Sequence, residues 1–93
     1  MEKKVSARVI VTGRVQNVNF RMETRKAAER YGVSGWVKNL PDGTVEAFFE
    51  GNQSRVTGIV RWCENGPPFA SVHHVDVHWG ERADAFDRFQ VRF

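Results

Sequence analysis

Between Val5 and Thr12 the chain alternates, with Val5, Ala7, Val9 and Val11 against Ser6, Arg8, Ile10 and Thr12, and this period of two stops at Gly13. From Phe20 the period is helical: Phe20, Thr24, Ala27, Ala28 and Tyr31 recur on one face, and Gly32 follows as a left-handed stop. The switch from strand to helix must therefore be made inside Gly13-Arg14-Val15-Gln16-Asn17-Val18-Asn19-Phe20-Arg21. A strand that turns this tightly into a helix aims several backbone N–H groups at one point, where the positive end of the helix dipole also favours an anion. Arg21 adds a planar fork of donors at the mouth of that nest. Such a fork suits a phosphate dianion, because two parallel charge-assisted hydrogen bonds set orientation as well as charge.

The remaining elements follow from the same two periods. Ser34 to Leu40 and Thr44 to Glu50 read as strands, the second placing Val45, Ala47 and Phe49 against Glu46, Phe48 and Glu50. That second face is expected to be exposed and acidic. Pro41-Asp42-Gly43 between the two strands is turn chemistry, since proline presets its own φ and glycine accepts a positive one. An antiparallel hairpin follows. A second helix carries Val56, Ile59, Val60 and Cys63 on one stripe, with Asn52 or Ser54 as candidate cap and Gly66-Pro67-Pro68 as its end. Gly58 inside it costs about 1 kcal/mol relative to alanine. Ser71 to Trp79 is a strand with Val75, Val77 and Trp79 directed inward; a polar link, Gly80 to Ala85, leads to a terminal strand with Phe89, Val91 and Phe93. The tryptophans and phenylalanines are otherwise read as core or helix-facing packing.

The order strand, helix, strand, strand, helix, strand, plus a closing strand, predicts an α+β protein. Its architecture is a ferredoxin-like βαββαβ sandwich, an antiparallel sheet with two helices on one face. At 93 residues, residues 1–93 form a single domain with one core. No apolar run reaches the roughly 20 residues of a membrane span, and the N-terminus leads straight into a strand, so a cytoplasmic protein with no membrane partner is expected. A lone cysteine, Cys63, excludes a disulfide framework and fits a reducing compartment. The net charge of +3 is spread along the chain with acids between the bases, a bias towards small anions and against nucleic acid.

Residue types then narrow the chemistry of the loop. A Walker loop would end in Gly-Lys-Ser/Thr, which is absent. A cysteine phosphatase would need a thiolate among Val15, Gln16, Asn17, Val18, Asn19 and Phe20, and none of these is Cys, Ser, Thr or Asp. Direct attack of water on a bound phosphoryl group is the simplest reaction left. Its loose transition state is served by positioning and charge, and an acyl phosphate, whose carboxylate leaves easily, is the matching substrate class. His73, His74 and His78 invite a metal reading, but on a strand His74 and His78 are on the order of 13 Å apart and His73 faces the other way. Solvated histidines and no metal are expected.

Gly13 to Arg21 resembles the signature of the acylphosphatases, Gly-Arg-Val-Gln-Gly-Val, one variable residue, then Phe-Arg, with only Asn17 departing, where the family usually has glycine. Gly35-Trp36-Val37-Lys38-Asn39-Leu40-Pro41-Asp42-Gly43-Thr44-Val45-Glu46 is similar to a second family segment. Trp62-Cys63 with Gly66-Pro67 and Ala70 looks like the family's second helix and its exit. The resemblance implies hydrolysis of the carboxyl-phosphate bond to a carboxylate and inorganic phosphate, by a monomer without cofactors. It implies Arg21 as the phosphate-binding arginine, Asn39 as the water-orienting asparagine, and the backbone N–H groups of Val15, Gln16, Asn17, Val18, Asn19 and Phe20 as the cradle. A cradle of this kind needs a residue at positive φ, which asparagine reaches more readily than most residues, so Asn17 is expected there. Two other classes are weighed. An RNA-binding module would need Lys/Arg-Gly-aromatic-Gly/Ala-Phe where the third strand reads Thr-Val-Glu-Ala-Phe-Phe-Glu. A catalytically weak anion-binding domain of the same fold is the alternative that Asn17 keeps open.

Overall fold

The computed structural model describes residues 2–81 and 86–93. In chain order its elements are β1 (Lys4–Arg14), α1 (Phe20–Tyr31), β2 (Ser34–Asn39), β3 (Val45–Asn52), α2 (Gln53–Asn65), β4 (Ser71–Glu81) and β5 (Phe89–Arg92). They form one sheet in the order β4-β1-β3-β2-β5 with both helices against one face. The apolar side of β1, namely Val5, Ala7, Val9 and Val11, is buried under Ala27, Ala28, Val56, Ile59, Val60 and Cys63 from the helices. Removing such side chains from water, at about 1.5–3 kcal/mol for each larger one, is what holds the two layers together. No described helix is long and apolar enough to cross a membrane.

The expected antiparallel sheet holds for four strands only. β5 lies parallel to β2, Gly35 opposite Phe89 and Val37 opposite Val91. The reason is directional: a chain that reverses after β4 runs opposite to it, which is the direction of β2, and the free edge of β2 is where pairing remains. Of the polar link expected from Gly80 to Ala85, residues 82–85 lie outside the described residues.

The second face of β3 is also not the exposed acidic surface that alternation suggested. Glu46 is buried and paired with Arg8 at 2.6 Å and Lys38 at 3.6 Å from the flanking strands. Glu50 is wholly buried, and one of its oxygens accepts the Phe86 N–H at 2.9 Å. β3 is central, so neighbouring side chains and the segment entering β5 cover a face that would be open on an edge strand. Trp79 errs the other way. It shares the inward side with Val75 and Val77, opposite Ala7, yet is 51% exposed because β4 is an edge strand that α2 covers only in part. Phe69 and Phe93 are exposed too.

Two local features of α2 depart from a plain helix. Asn52 occupies the N-cap position but its side chain makes no capping bond; instead the Glu2 carboxylate accepts the Ser54 N–H at 2.6 Å, and Lys3 O accepts the Gln53 N–H. Hydrogen bonds from Ser54 hold the Glu2 carboxyl below its ordinary pKa. Gly58 faces α1, and a Cβ there would sit 2.6 Å from Cε1 of Tyr31. The glycine thus lets the two helices close on the Tyr31 ring.

Gly58→Ala is therefore expected to lower stability by about 1 kcal/mol, overpacking outweighing the gain in helix propensity. In a Tyr31→Ala background the same change should be stabilising. Urea midpoints at unchanged slope read both, and a gain in the wild-type background would refute the packing role.

Candidate active site

The site starts where β1 leaves the sheet. β4 bulges opposite Thr12 and Gly13, and a Cβ on Gly13 would lie 2.1 Å from the Ser71 carbonyl oxygen, so only glycine, here at φ 137°, lets β1 stay close against β4 as far as Arg14, past its last pairing with β3 at Val11. Val15, almost fully buried, anchors the segment that follows in the core. Between Val15 and α1, Asn17 and Asn19 both adopt left-handed φ, 61° and 64°, while Gln16 and Val18 do not. The expectation for Asn17 holds; that for Asn19, which also occupies the N-cap of α1, was not made.

Alternating hands of this kind fold a backbone into a concave nest of N–H groups. Among the described residues none of the N–H groups from Val15 to Phe20 has an acceptor in the protein. The Asn19 side chain makes no capping bond, and the first intrahelical bond to the N-cap carbonyl comes from Glu23. The open donors of the first turn of α1 therefore belong to the same concavity.

Two further elements complete it. Asn39, the last residue of β2, presents an amide whose Oδ1 is buried without a hydrogen-bond partner. The Gln16 side chain ties the loop to the turn that follows Asn39, donating from Nε2 to Leu40 O at 2.7 Å and Thr44 O at 2.9 Å. Arg21 is steadied from β5, donating from Nη1 to the Arg92 carbonyl at 2.9 Å with its guanidinium 4.6 Å from the centre of the Phe93 ring. Val15, Asn17, Asn19, Phe20, Arg21 and Asn39 line one cavity of about 180 Å³, together with Met22, Val91 and Phe93. The Gln16 and Val18 side chains point elsewhere, to the β2–β3 turn and the core. Sequence reasoning missed the bracing by Gln16 and the wall from β5. Those contacts join residues 24, 28 and 71 positions apart, and no periodicity signals them.

Among the described residues, Arg21 is the sole ionisable side chain lining the cavity. Cys63 lies on the buried stripe of α2, outside the lining, and burial pushes its thiol up to about 12. His73, His74 and His78 are exposed on β4, His74 pairing with Asp76 at 3.0 Å.

The acylphosphatase family model matches residues 7–91. The chain belongs to the acylphosphatase family. A relative from Anaeromyxobacter dehalogenans, named acylphosphatase, is 48% identical over the full length of both chains. Another so named, from Rubrobacter xylanophilus, is 55% identical over 91% of this chain and 77% of its own. The crystal structure of the acylphosphatase from Bacillus subtilis superposes with a TM-score of 0.91 at 35% identity, covering 96% of this chain and 99% of its own. A fold this close to the family's makes the left-handed site at Asn17, where glycine is usual, the natural place to test the loop.

Asn17→Gly should leave stability within about 1 kcal/mol of wild type. Asn17→Val should cost about 1–3 kcal/mol, because a β-branched residue is strained at this φ. Denaturant titration of the two variants checks this, and a valine variant as stable as the glycine one would contradict it.

Proposed function

We propose that the chain is an acyl phosphate phosphohydrolase that attacks the phosphorus with water directly, using Arg21, Asn39 and the Val15–Phe20 loop. The observation that carries this reading is the convergence on one cavity of unpaired loop N–H groups, the Arg21 guanidinium and an unpartnered Asn39 amide oxygen. Family membership supports the substrate class. Nothing favours the catalytically weak anion-binding domain.

In this reading the phosphoryl oxygens sit in the nest, facing N–H groups that no protein acceptor occupies. Arg21 spends one N–H on the Arg92 carbonyl, which aims the rest of its fork at the anion. The donors are fixed before substrate arrives, so charge spread over the equatorial oxygens of a loose transition state meets them without reorganisation. Asn39 Oδ1 accepts a hydrogen bond from the attacking water and turns a water lone pair towards phosphorus. The new bond joins the water oxygen to phosphorus; the bond from phosphorus to the acyl oxygen breaks, and the carboxylate leaves with the electron pair. A water proton passes to a phosphate oxygen or to solvent, since among the described residues no side chain of the lining is a carboxylate, imidazole or thiol. We further propose metal-independent turnover in the cytoplasm, with Cys63 a buried structural thiol.

Phosphate release from acetyl phosphate in the presence of a chelator is expected to exceed the spontaneous rate, and its absence would overturn the reading. Arg21→Lys should lower kcat/KM by at least about a hundredfold and abolish inhibition by inorganic phosphate, because an ammonium cannot reproduce the fork. Asn39→Ala should lower kcat by a similar factor while inhibition by phosphate persists. A parallel loss of phosphate affinity would show that Asn39 holds the anion and not the water.

A further inference from the structure

Among the described residues, Asn17 at φ 61° and Asn19 at φ 64° are the only non-glycine residues with positive φ, and both line the catalytic cavity. The bend of the loop needs residues that tolerate the left-handed region, and glycine would meet that need without the cost of a Cβ. Asparagine meets it and adds a side-chain amide with two N–H donors. The protein itself makes no use of either amide.

Asn19 holds the N-cap of α1, where an asparagine side chain ordinarily accepts an N–H of the first turn. That bond is made from extended backbone, whereas Asn19 sits at φ 64° and ψ 24° and makes no capping bond. Its amide is thereby released from the helix, and the first-turn N–H groups are left to an outside acceptor. The Asn17 side chain likewise makes no hydrogen bond among the described residues. Both residues are exposed, so solvent and ligands reach them at the rim of the cavity. An asparagine amide is short enough to meet groups on its own stretch of backbone, as in Asx turns, and so reaches an anion held by the neighbouring N–H groups.

We infer that Asn17 and Asn19 bind the substrate through their side chains, each donating from Nδ2 to a peripheral phosphoryl oxygen, so that the rim of the nest adds two neutral donors to its backbone floor. The inference rests on the hydrolase reading above and names two further ligands of the same anion. Each phosphoryl oxygen accepts more than one hydrogen bond, so these donors add to Arg21 and the loop N–H groups without displacing them. They sit on freely rotating side chains and follow the oxygens, holding the phosphoryl group alike before and during the reaction. Their effect therefore falls on KM and on inhibition by phosphate, and not on kcat. A relative with glycine in place of Asn17 lacks the first of the two donors.

The test titrates the wild type with inorganic phosphate and follows side-chain and backbone amides by proton–nitrogen correlation NMR. The side-chain NH2 pairs of Asn17 and Asn19, assigned from the peaks lost in Asn17→Gly and Asn19→Gly, should move together with the backbone N–H peaks of the loop and with one shared Kd. Each glycine variant keeps a residue that accepts positive φ and removes one amide, so KM for acetyl phosphate and Ki for phosphate should both rise by about three- to tenfold, with kcat within about twofold. Asn17→Asp and Asn19→Asp, which also tolerate this φ, should raise Ki further, and less so at high salt. Loop backbone peaks that move while either NH2 pair stays still, or an unchanged Ki in either glycine variant, overturn the inference and leave the hydrolase reading standing. A fall in kcat or in the urea midpoint with Ki unchanged assigns a structural role and overturns it as well. No response of any loop peak to phosphate also overturns the inference, and if acetyl phosphate is not hydrolysed either, the hydrolase reading falls with it.

Discussion

The structure depends on how the backbone gets from β1 to α1. A strand pairs its N–H groups across the sheet and a helix pairs them along itself, so a chain that passes from one to the other in a few residues must leave some unpaired. Here the deficit is concentrated. Gly13 holds the end of β1 close against the β4 bulge, Asn17 and Asn19 bend the loop that follows at positive φ, and the unpaired donors lie between Arg14 and the start of α1. In the proposed reading, the polar groups that folding leaves unsatisfied are the ones a bound anion would satisfy.

Everything else holds that concavity in register with its partners. The order β4-β1-β3-β2-β5 places the end of β2, and with it Asn39, at the same pole as the end of β1, because the two strands run in the same direction on either side of β3. β5 completes the arrangement by running parallel to β2, so that its own end also reaches this pole and supplies the Arg92 carbonyl and the Phe93 ring to Arg21. Gln16 then cross-links the loop to the β2–β3 turn. Gln16 thus holds a loop that has no ladder of its own, while the end of the chain holds Arg21 beside it. This rigidity is what electrostatic stabilisation requires, since donors that must reorganise during reaction lose much of their worth.

On the other side of the sheet, Trp36 stacks on Phe48, which meets the Phe86 ring at a tilt of 58°, with Arg92 and Lys38 over the Trp36 ring. Arg8 and Lys38 reach over Glu46, and Glu50 holds the Phe86 backbone. This layer belongs to the same mechanical chain. It seats the segment entering β5, and β5 in turn seats Arg21.

The local pattern of residues was enough for every described helix and strand, for both helix stripes and for the left-handed stop at Gly32. Each follows from interactions within a few positions of the chain: side-chain period, turn chemistry and the dihedral range of glycine. The same holds for Asn17, whose positive φ is a property of its own backbone. Asn19, Gln16 and the β5 wall were not legible. Neither were the burial of Glu46 and Glu50 or the exposure of Trp79, because alternation tells which side a residue faces and not what lies there. The sequence by itself determined the elements, their order and the positive φ of Asn17. Tertiary structure alone decided that Arg21, Asn39 and the loop share one cavity, that β5 runs parallel to β2, and which faces are covered. Those outcomes depend on contacts between distant positions, whose energies exist only once the sheet has assembled.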